Sequence, residues 1–462
     1  MAPSSSSSLQ IAMYPWFALG HITSFLHLSN KLAERGHKIF FLLPTKTRTR
    51  FEALNRHRDL IFFIPIPVPQ IDGLPAGAET TADVPFQSHP LLLTAMDETK
   101  PVIETHLRNL KPQFVFYDFS HWLPLLARDL GIKSLHYCTI SPAAVGYLLR
   151  PPNSNLKAEK RSLTASELMK PPINFPDSSI RLKAFEARGF AEFGEGRDSF
   201  TERMSLCFGE CDMISFKTCV EMEGPYCRYI EQQFKKPVIL AGPVVPESPK
   251  SRLEDNFARI LDGFSPNTLV FCSFGSECRL EKDQFQELLL GLELTGRPFL
   301  VATKPLIGAE SSPIESAFPE GFEDRTRGRG FVTGEWVQQQ LILDHPSVGC
   351  FVTHCGSGSL SEAMVTDCQL VLLPNAGDQI INARLMGGDL KVGVEVEKRE
   401  EDGKFTREGV CEAVRVVMEE GSVVGEMVRE NHRKWREFVL SVGVEDQYVK
   451  EFVHKLQALL DT

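Results

Sequence analysis

CFVTHCGSGSLSE, residues Cys350–Glu362, sets an apolar run, a cluster of small residues and a helical segment in immediate succession. Gly349–Thr353 has the make-up of a buried strand, a helix follows near Ser359–Thr366, and Leu370–Leu373 reads as the next strand. Strand, helix, strand over so short a span is a βαβ unit, and such units build parallel sheets. Small residues between a strand and a helix N-terminus leave backbone N–H groups and the positive helix end open to an anion. Gly356-x-Gly358-x-x-Ser361 also comes close to a dinucleotide-binding fingerprint, with Asp378 lying 22 residues after Gly356 as the acidic partner. Its third glycine is missing, and His354 directly before the loop is foreign to that motif. The loop alone leaves a phosphate cradle and an ordinary tight turn both open.

Outward from this unit the pattern repeats. Thr268–Ser273 and Pro298–Ala302 read as strands around a helix at Lys282–Leu294. At the other end of the chain, Leu9–Tyr14 is a strand and Pro15–Gly20 a turn. Ile22, Phe25, Leu26, Leu28 and Leu32 then recur at helical spacing, with Gly36 as C-cap and Lys38–Leu43 as the next strand. Phe114–Asp118 and Lys133–Tyr137 continue the series, and residues 150–200 are polar and broken by prolines. Between the two series lies Gly242–Lys250, whose three prolines predict a stiff linker. Tyr448, Val449, Phe452, Val453, Leu456, Leu459 and Leu460 have the spacing of an amphipathic helix. The expected fold is α/β, two doubly wound halves facing a cleft, with ligands at the carboxyl ends of the strands.

Composition narrows the function. The 462 residues carry 50 Lys+Arg against 60 Asp+Glu, a net charge of −10, with no basic block, which argues against nucleic acid. No apolar run reaches the roughly 20 residues of a membrane span. The 11 cysteines lack zinc spacing and imply reduced, mostly buried thiols. The Ser4–Ser8 run is not a secretory signal. A soluble cytoplasmic protein is expected.

A wider window, Trp336–Gln379, resembles the 44-residue signature box of plant UDP-dependent glycosyltransferases, family-1 enzymes of the GT-B fold. Trp336, Gln339, Leu343, His345, Gly349, Phe351, His354, Cys355, Gly356, Ser359, Glu362, Pro374, Asp378 and Gln379 carry the match. The resemblance implies that Trp336 stacks on uracil while Val337 and Gln339 read its edge, and that Glu362 accepts from ribose hydroxyls. It implies that His354 and Ser359, with the loop N–H groups, hold the diphosphate, and that Asp378 and Gln379 bind the donor sugar. Ser276, in Ser273-Phe274-Gly275-Ser276, matches the other phosphate-side loop. His345 is read as structural.

The sequence departs from the family where Ser357-Gly358 replace the usual Trp-Asn, so backbone must take over an asparagine contact. Asp367 and Gln369 stand where the family has Gly and Pro. The Ser-Gly version resembles the subgroup that adds sugars to sugars already attached to flavonoids or other small molecules. Asp72–Pro75, Gly77–Thr81 and Asp118–Pro124 support that subgroup.

An acceptor hydroxyl needs a base at neutral pH, and histidine suits the task. Pro15–His21 matches the family's opening motif, which implies that His21 is that base. Asp118, ending its strand on the same sheet edge, would orient it. The sugar would pass with inversion of configuration, and the absence of an Asp-x-Asp pair implies no metal. Trp16, Phe17, Phe119, His121 and Trp122 are candidates for lining the acceptor pocket.

The division expected is 1–245 for the acceptor, 246–440 for UDP-sugar, and a helix in 441–462 returning to the first domain. The partners expected are a UDP-sugar (glucose first, xylose or rhamnose otherwise) and a small-molecule glycoside, bound by a monomer without cofactor. Competing readings are direct transfer to an aglycone, a non-catalytic nucleotide-sugar binder, and an NAD-dependent oxidoreductase.

Overall fold

A computed structural model describes residues 8–150, 163–193, 200–247, 249, 251–275, 278–308 and 312–461. Two parallel sheets organise them. The first comprises β1 (Gln10–Tyr14), β2 (Lys38–Pro44), β3 (Ile61–Ile66), β4 (Phe114–Tyr117), β5 (Lys133–Cys138), β6 (Met213–Phe216) and β7 (Val238–Leu240). Its order is β3-β2-β1-β4-β5-β6-β7. The second comprises β8 (Leu269–Ser273), β9 (Phe299–Ala302), β10 (Gly330–Thr333), β11 (Val348–Thr353), β12 (Gln369–Leu372) and β13 (Gly393–Glu395), in the order β10-β9-β8-β11-β12-β13. Both orders reverse beside their first strand, β1 against β4 and β8 against β11, which opens a crevice at the carboxyl ends there.

The central strands are buried on both faces, as their continuous apolar runs require: β2, β4, β8 and β11 hardly contain an exposed residue. Five strands carry too little sequence signal to be read in advance: β3, β6, β7, β10 and β13. Four of these are the sheet edges. β3 tolerates Pro65 because an edge strand can lack one donor. Of the segment read as loops with short helices, residues 151–162 and 194–199 lie outside the described residues. The remainder holds the short helix Ala165–Leu168 and the longer Ala184–Phe193.

The linker is extended at residues 241–247. Gly242 has φ +95, and a Cβ there would come 2.8 Å from Tyr448 Cβ, so both conformation and space call for glycine. Tyr448 belongs to the last helix, Val444–Leu460, whose Val449, Phe452, Val453 and Leu456 are buried in the first sheet's core. The Tyr448 hydroxyl accepts from Val220 N (2.8 Å) and donates to Glu221 Oε2 (2.7 Å). A second core joins the halves: Tyr147, Ile180, Leu182 and Tyr226 pack with Leu269, Phe351, Ile381 and Met386. Buried Glu186 reaches Arg384 (2.8 Å) across this contact.

Candidate active site

At the first sheet, His21 stands in the opening turn of the helix Leu19–Ala33, directly above the end of β1. Its Nδ1 lies 2.5 Å from Asp118 Oδ2, one residue past β4. Asp118 is 1% exposed and fixed by more than this pair: its Oδ1 accepts from Trp16 N (2.6 Å) and Phe119 N (2.9 Å). Behind it, the His136 Nε2 donates to the Asp118 carbonyl (2.7 Å). Burial lowers the His136 pKa to about 3, so this imidazole is neutral. With Nδ1–H committed to the carboxylate, the His21 Nε2 keeps its lone pair for a proton. Thr139, one residue past β5, sets its hydroxyl 2.9 Å from Nδ1 and 3.4 Å from Nε2. No motif marked Thr139; its position at a strand's carboxyl end was the available signal.

The aromatic candidates fall into two groups. The Phe119 ring meets His21 edge-on at 5.4 Å and stacks on Trp16 at 5.4 Å. Phe17 is fully buried behind Trp16, and Trp122 is buried with its indole N–H on Asp97 (3.0 Å). Trp16, Phe17, Phe119 and Trp122 all belong to one buried cluster, with Trp122, at 8% exposed, the least covered of the four. His121 lies beside the same carboxylate, 3.9 Å from Asp97, with a third of its side chain exposed.

The second sheet builds the opposite wall. β11 ends at Thr353, Cys355 takes φ +65, and Gly356 caps the helix Ser357–Met364 without a side chain contributing to the cap. Ser357 and Gly358 therefore open that helix, and its first N–H groups are available to an anion. The His354 ring fills the space between two glycines. A Cβ on Gly275 would come 2.8 Å from its Cε1, and one on Gly356 would overlap Nε2. Burial lowers the His354 pKa to about 4, and its Nδ1 has no partner among the described residues. His354 is accordingly neutral at pH 7 in the free protein and can donate from one ring nitrogen. Ser276 lies outside the described residues.

Around the same helix, Gln339 donates from Nε2 to Ser359 Oγ (3.0 Å) and Glu362 Oε2 (2.5 Å). Burial raises the Glu362 pKa, with the Gln339 contact opposing. Trp336 is 68% exposed, an indole face held outside the core, whereas the Val337 side chain is buried. His345 bonds Ser347 (2.9 Å) and Asp262 (3.2 Å), as a structural histidine should. Asp378 and Gln379 begin the helix Asp378–Arg384. The Gln379 Oε1 accepts from Asn375 N and Ala376 N (3.0 and 3.2 Å), which leaves its amide N–H groups for a ligand. Asn382, unmarked in the sequence, donates to both Asp378 Oδ2 (3.0 Å) and Cys355 O (3.1 Å), tying the two loops together. Burial raises the Asp378 pKa, opposed first by the Asn382 hydrogen bond and then by positive charge from the first sheet, Lys217 included. Among the described residues no group of three or more His, Cys, Asp and Glu is placed to hold a metal, and no helix is long and apolar enough to cross a membrane.

Two parallel-sheet α/β halves, with a His–Asp pair at the end of one sheet and an open helix N-terminus at the end of the other, are the architecture of a GT-B glycosyltransferase. Comparison with known proteins agrees. Residues 314–431 match the family described as UDP-glucoronosyl and UDP-glucosyl transferase. A cyanidin 3-O-galactoside 2''-O-xylosyltransferase of Actinidia chinensis var. chinensis is 58% identical over 458 residues, covering 98% of this chain and 99% of that one. An anthocyanidin 3-O-glucoside 2''-O-glucosyltransferase of Ipomoea nil is 54% identical over 462 residues, covering 99% of each. Among solved structures, a Glycyrrhiza uralensis enzyme complexed with glycyrrhetinic acid 3-O-monoglucuronide superposes with TM-score 0.79 at 19% identity, covering 98% of this chain and 96% of that one. The chain belongs to the UDP-glycosyltransferase family and is a UDP-dependent glycosyltransferase of GT-B fold.

Proposed function

We propose that this enzyme transfers a sugar, with inversion, from a UDP-sugar to a hydroxyl of a sugar already carried by a flavonoid glycoside. Glucose is the first donor to test, with xylose and rhamnose next. The whole-chain identity to two transferases named for 2''-O transfer onto anthocyanin glycosides carries the reading. The His21–Asp118 pair, its carboxylate buried and its imidazole one-fifth exposed, is one that a pure binding protein would not need, and it supports catalysis.

In this reading His21 Nε2 takes the proton from the acceptor hydroxyl as that oxygen attacks the anomeric carbon, and Asp118 stabilises the imidazolium that forms. The bond from the anomeric carbon to the diphosphate oxygen breaks, and UDP departs with the electron pair. The N–H groups at Ser357, Gly358 and Ser359, the Ser359 hydroxyl and neutral His354 donate to that diphosphate, with Ser276 assigned to the same role by its motif. Exposed Trp336 stacks on uracil, Val337 and Gln339 meet its edge, and Glu362 receives the ribose hydroxyls. Asp378 and the Gln379 amide bind the donor sugar. Trp16 and Phe119 seat the aromatic aglycone beside the base, with His121 near it.

The division 1–245, 246–440 and 441–462 assigns acceptor, donor and clasp, and burial of the last helix against the first sheet supports its third part. A cytoplasmic monomer that needs no cofactor, membrane or nucleic acid completes the proposal, resting on composition. The test is UDP release with UDP-glucose and UDP-xylose against cyanidin 3-O-glycosides and free cyanidin, with products weighed by mass spectrometry. Gain of one sugar on the glycoside supports the proposal; transfer to the aglycone alone refutes it.

A further inference from the structure

Lys217 directly follows β6, on the same carboxyl edge that carries His21, Asp118 and Thr139. Its Nζ donates to Ser24 Oγ at 3.1 Å, and Ser24 sits three residues after His21, on the same face of the same helix. Ser24 Oγ spends its own proton on Gly20 O (2.9 Å), so it presents a lone pair to the ammonium. Two further N–H bonds of Lys217 remain, and no carboxylate among the described residues comes within ion-pair distance of it. Asp378, from the opposite wall, and Glu223 are the acidic groups whose charge reaches it, with the Cys138 thiol beside them. Burial dominates all the same and lowers its pKa to about 8. A half-buried ammonium with two donors free of protein partners can give them to a polar group that enters the cleft.

The sheet order places these donors relative to the wall that carries the base. Strands β4, β5 and β6 are successive neighbours. Phe119, past β4, and Lys217, past β6, are therefore two strand spacings apart, about 10 Å, and His21 contacts the residues at the ends of β4 and β5 between them. An acceptor with its aromatic part against Trp16 and Phe119 would extend its sugar past the base and toward Lys217.

We infer that Lys217 donates hydrogen bonds to hydroxyls of the acceptor's sugar and so selects glycosides over free aglycones. The inference rests on the sugar-on-sugar reading above. Lys217 is a binding residue, not the base; no proton of the reaction passes through it.

The experiment compares wild type with Lys217→Met, Lys217→Gln and Lys217→Arg, measuring kcat and KM separately for UDP-glucose and for cyanidin 3-O-glucoside, plus UDP affinity by calorimetry. Lys217→Met is expected to raise the glycoside KM about tenfold or more, the range that one hydrogen bond from a charged group commands. The UDP-glucose KM and UDP affinity should stay within about twofold, and Lys217→Arg should recover most of the loss. If the methionine variant does not fold, the glutamine variant serves, with a smaller rise expected. An unchanged glycoside KM in variants whose melting temperature matches wild type overturns the inference alone, as does a loss that falls equally on UDP-glucose. Wild-type enzyme that sugars only free cyanidin overturns the substrate reading, and the inference with it.

Discussion

Replacing Asp118 by Asn isolates the electrostatic part of the proposed base. The Asn carbonyl can keep both backbone bonds that Asp118 Oδ1 now accepts, from Trp16 N and Phe119 N, so the loop after β4 should hold its shape. What changes is the other arm, 2.5 Å from His21 Nδ1. An amide NH2 placed there donates, which forces the His21 proton onto Nε2, the atom that must accept one. It also removes the negative charge that stabilises the imidazolium. The same exchange in a serine protease triad costs about 10⁴ in kcat, equal to about 5.5 kcal/mol of transition-state stabilisation. A loss of about 10³ to 10⁴ in kcat is expected, with the UDP-sugar KM unchanged and the melting temperature near wild type. Asp118→Ala is the weaker probe, because it strands two buried N–H groups at about 1–3 kcal/mol each and confounds catalysis with folding. Coupled UDP-release kinetics on Asp118→Asn, with circular dichroism melts alongside, decide the matter. A kcat within tenfold of wild type would refute the reasoning.

Trp336→Ala removes an indole that is 68% exposed. Its melting temperature should not move, while the UDP-sugar KM should rise by about 5- to 150-fold, the worth of one base-stacking platform at about 1–3 kcal/mol; an unchanged KM refutes the uracil assignment. Stability should fall in acid through buried neutral histidines. His136, His354 and His432 have pKa values lowered by burial to about 3, 4 and 4, so between those values and about 6.5 the unfolded chain binds more protons. These three residues should contribute up to about 4 kcal/mol per pH unit of lost stability near pH 5, opposed by buried carboxyls such as Glu362 and Asp378 whose raised pKa values act the other way; urea unfolding of His432→Gln beside wild type isolates one share, and an unchanged slope between pH 7 and 5 in that variant refutes burial of His432 as a neutral group. Phe452→Ala, which removes a ring 1% exposed and 6.0 Å edge-on from Phe116, should cost about 3–5 kcal/mol, measured by denaturant titration. A loss under about 1 kcal/mol would show that the last helix is not part of the first domain's core.

Much of this site was legible before any coordinates, and for particular reasons. The central strands β1, β2, β4, β8 and β11 announce themselves because burial on both faces demands unbroken apolar runs. Edge strands β3, β7, β10 and β13 are short, half-exposed or interrupted by Pro65, so their hydrogen-bonded partner defines them and their composition does not. Trp336, Glu362 and Asp378 were visible through an ordered motif. Thr139, Asn382 and Lys217 were not, since a threonine, an asparagine or a lysine acquires meaning only when folding sets it beside His21, Cys355 or Ser24. Burial does not separate the aromatic candidates, since Trp16, Phe17, Phe119 and Trp122 all pack into one core cluster and His121 alone of the five keeps a third of its side chain exposed. The charge state of His354 was also hidden, because it depends on burial between Gly275 and Gly356.

The central claim is transfer with inversion to a hydroxyl of the acceptor's sugar. Nuclear magnetic resonance of the purified product from α-linked UDP-glucose and cyanidin 3-O-glucoside tests it most directly. The account predicts one added glucose, β-linked, with its cross-ring correlation to a carbon of the first glucose and not to the flavonoid rings. An α-linkage, or a new sugar attached to the aglycone, would contradict it.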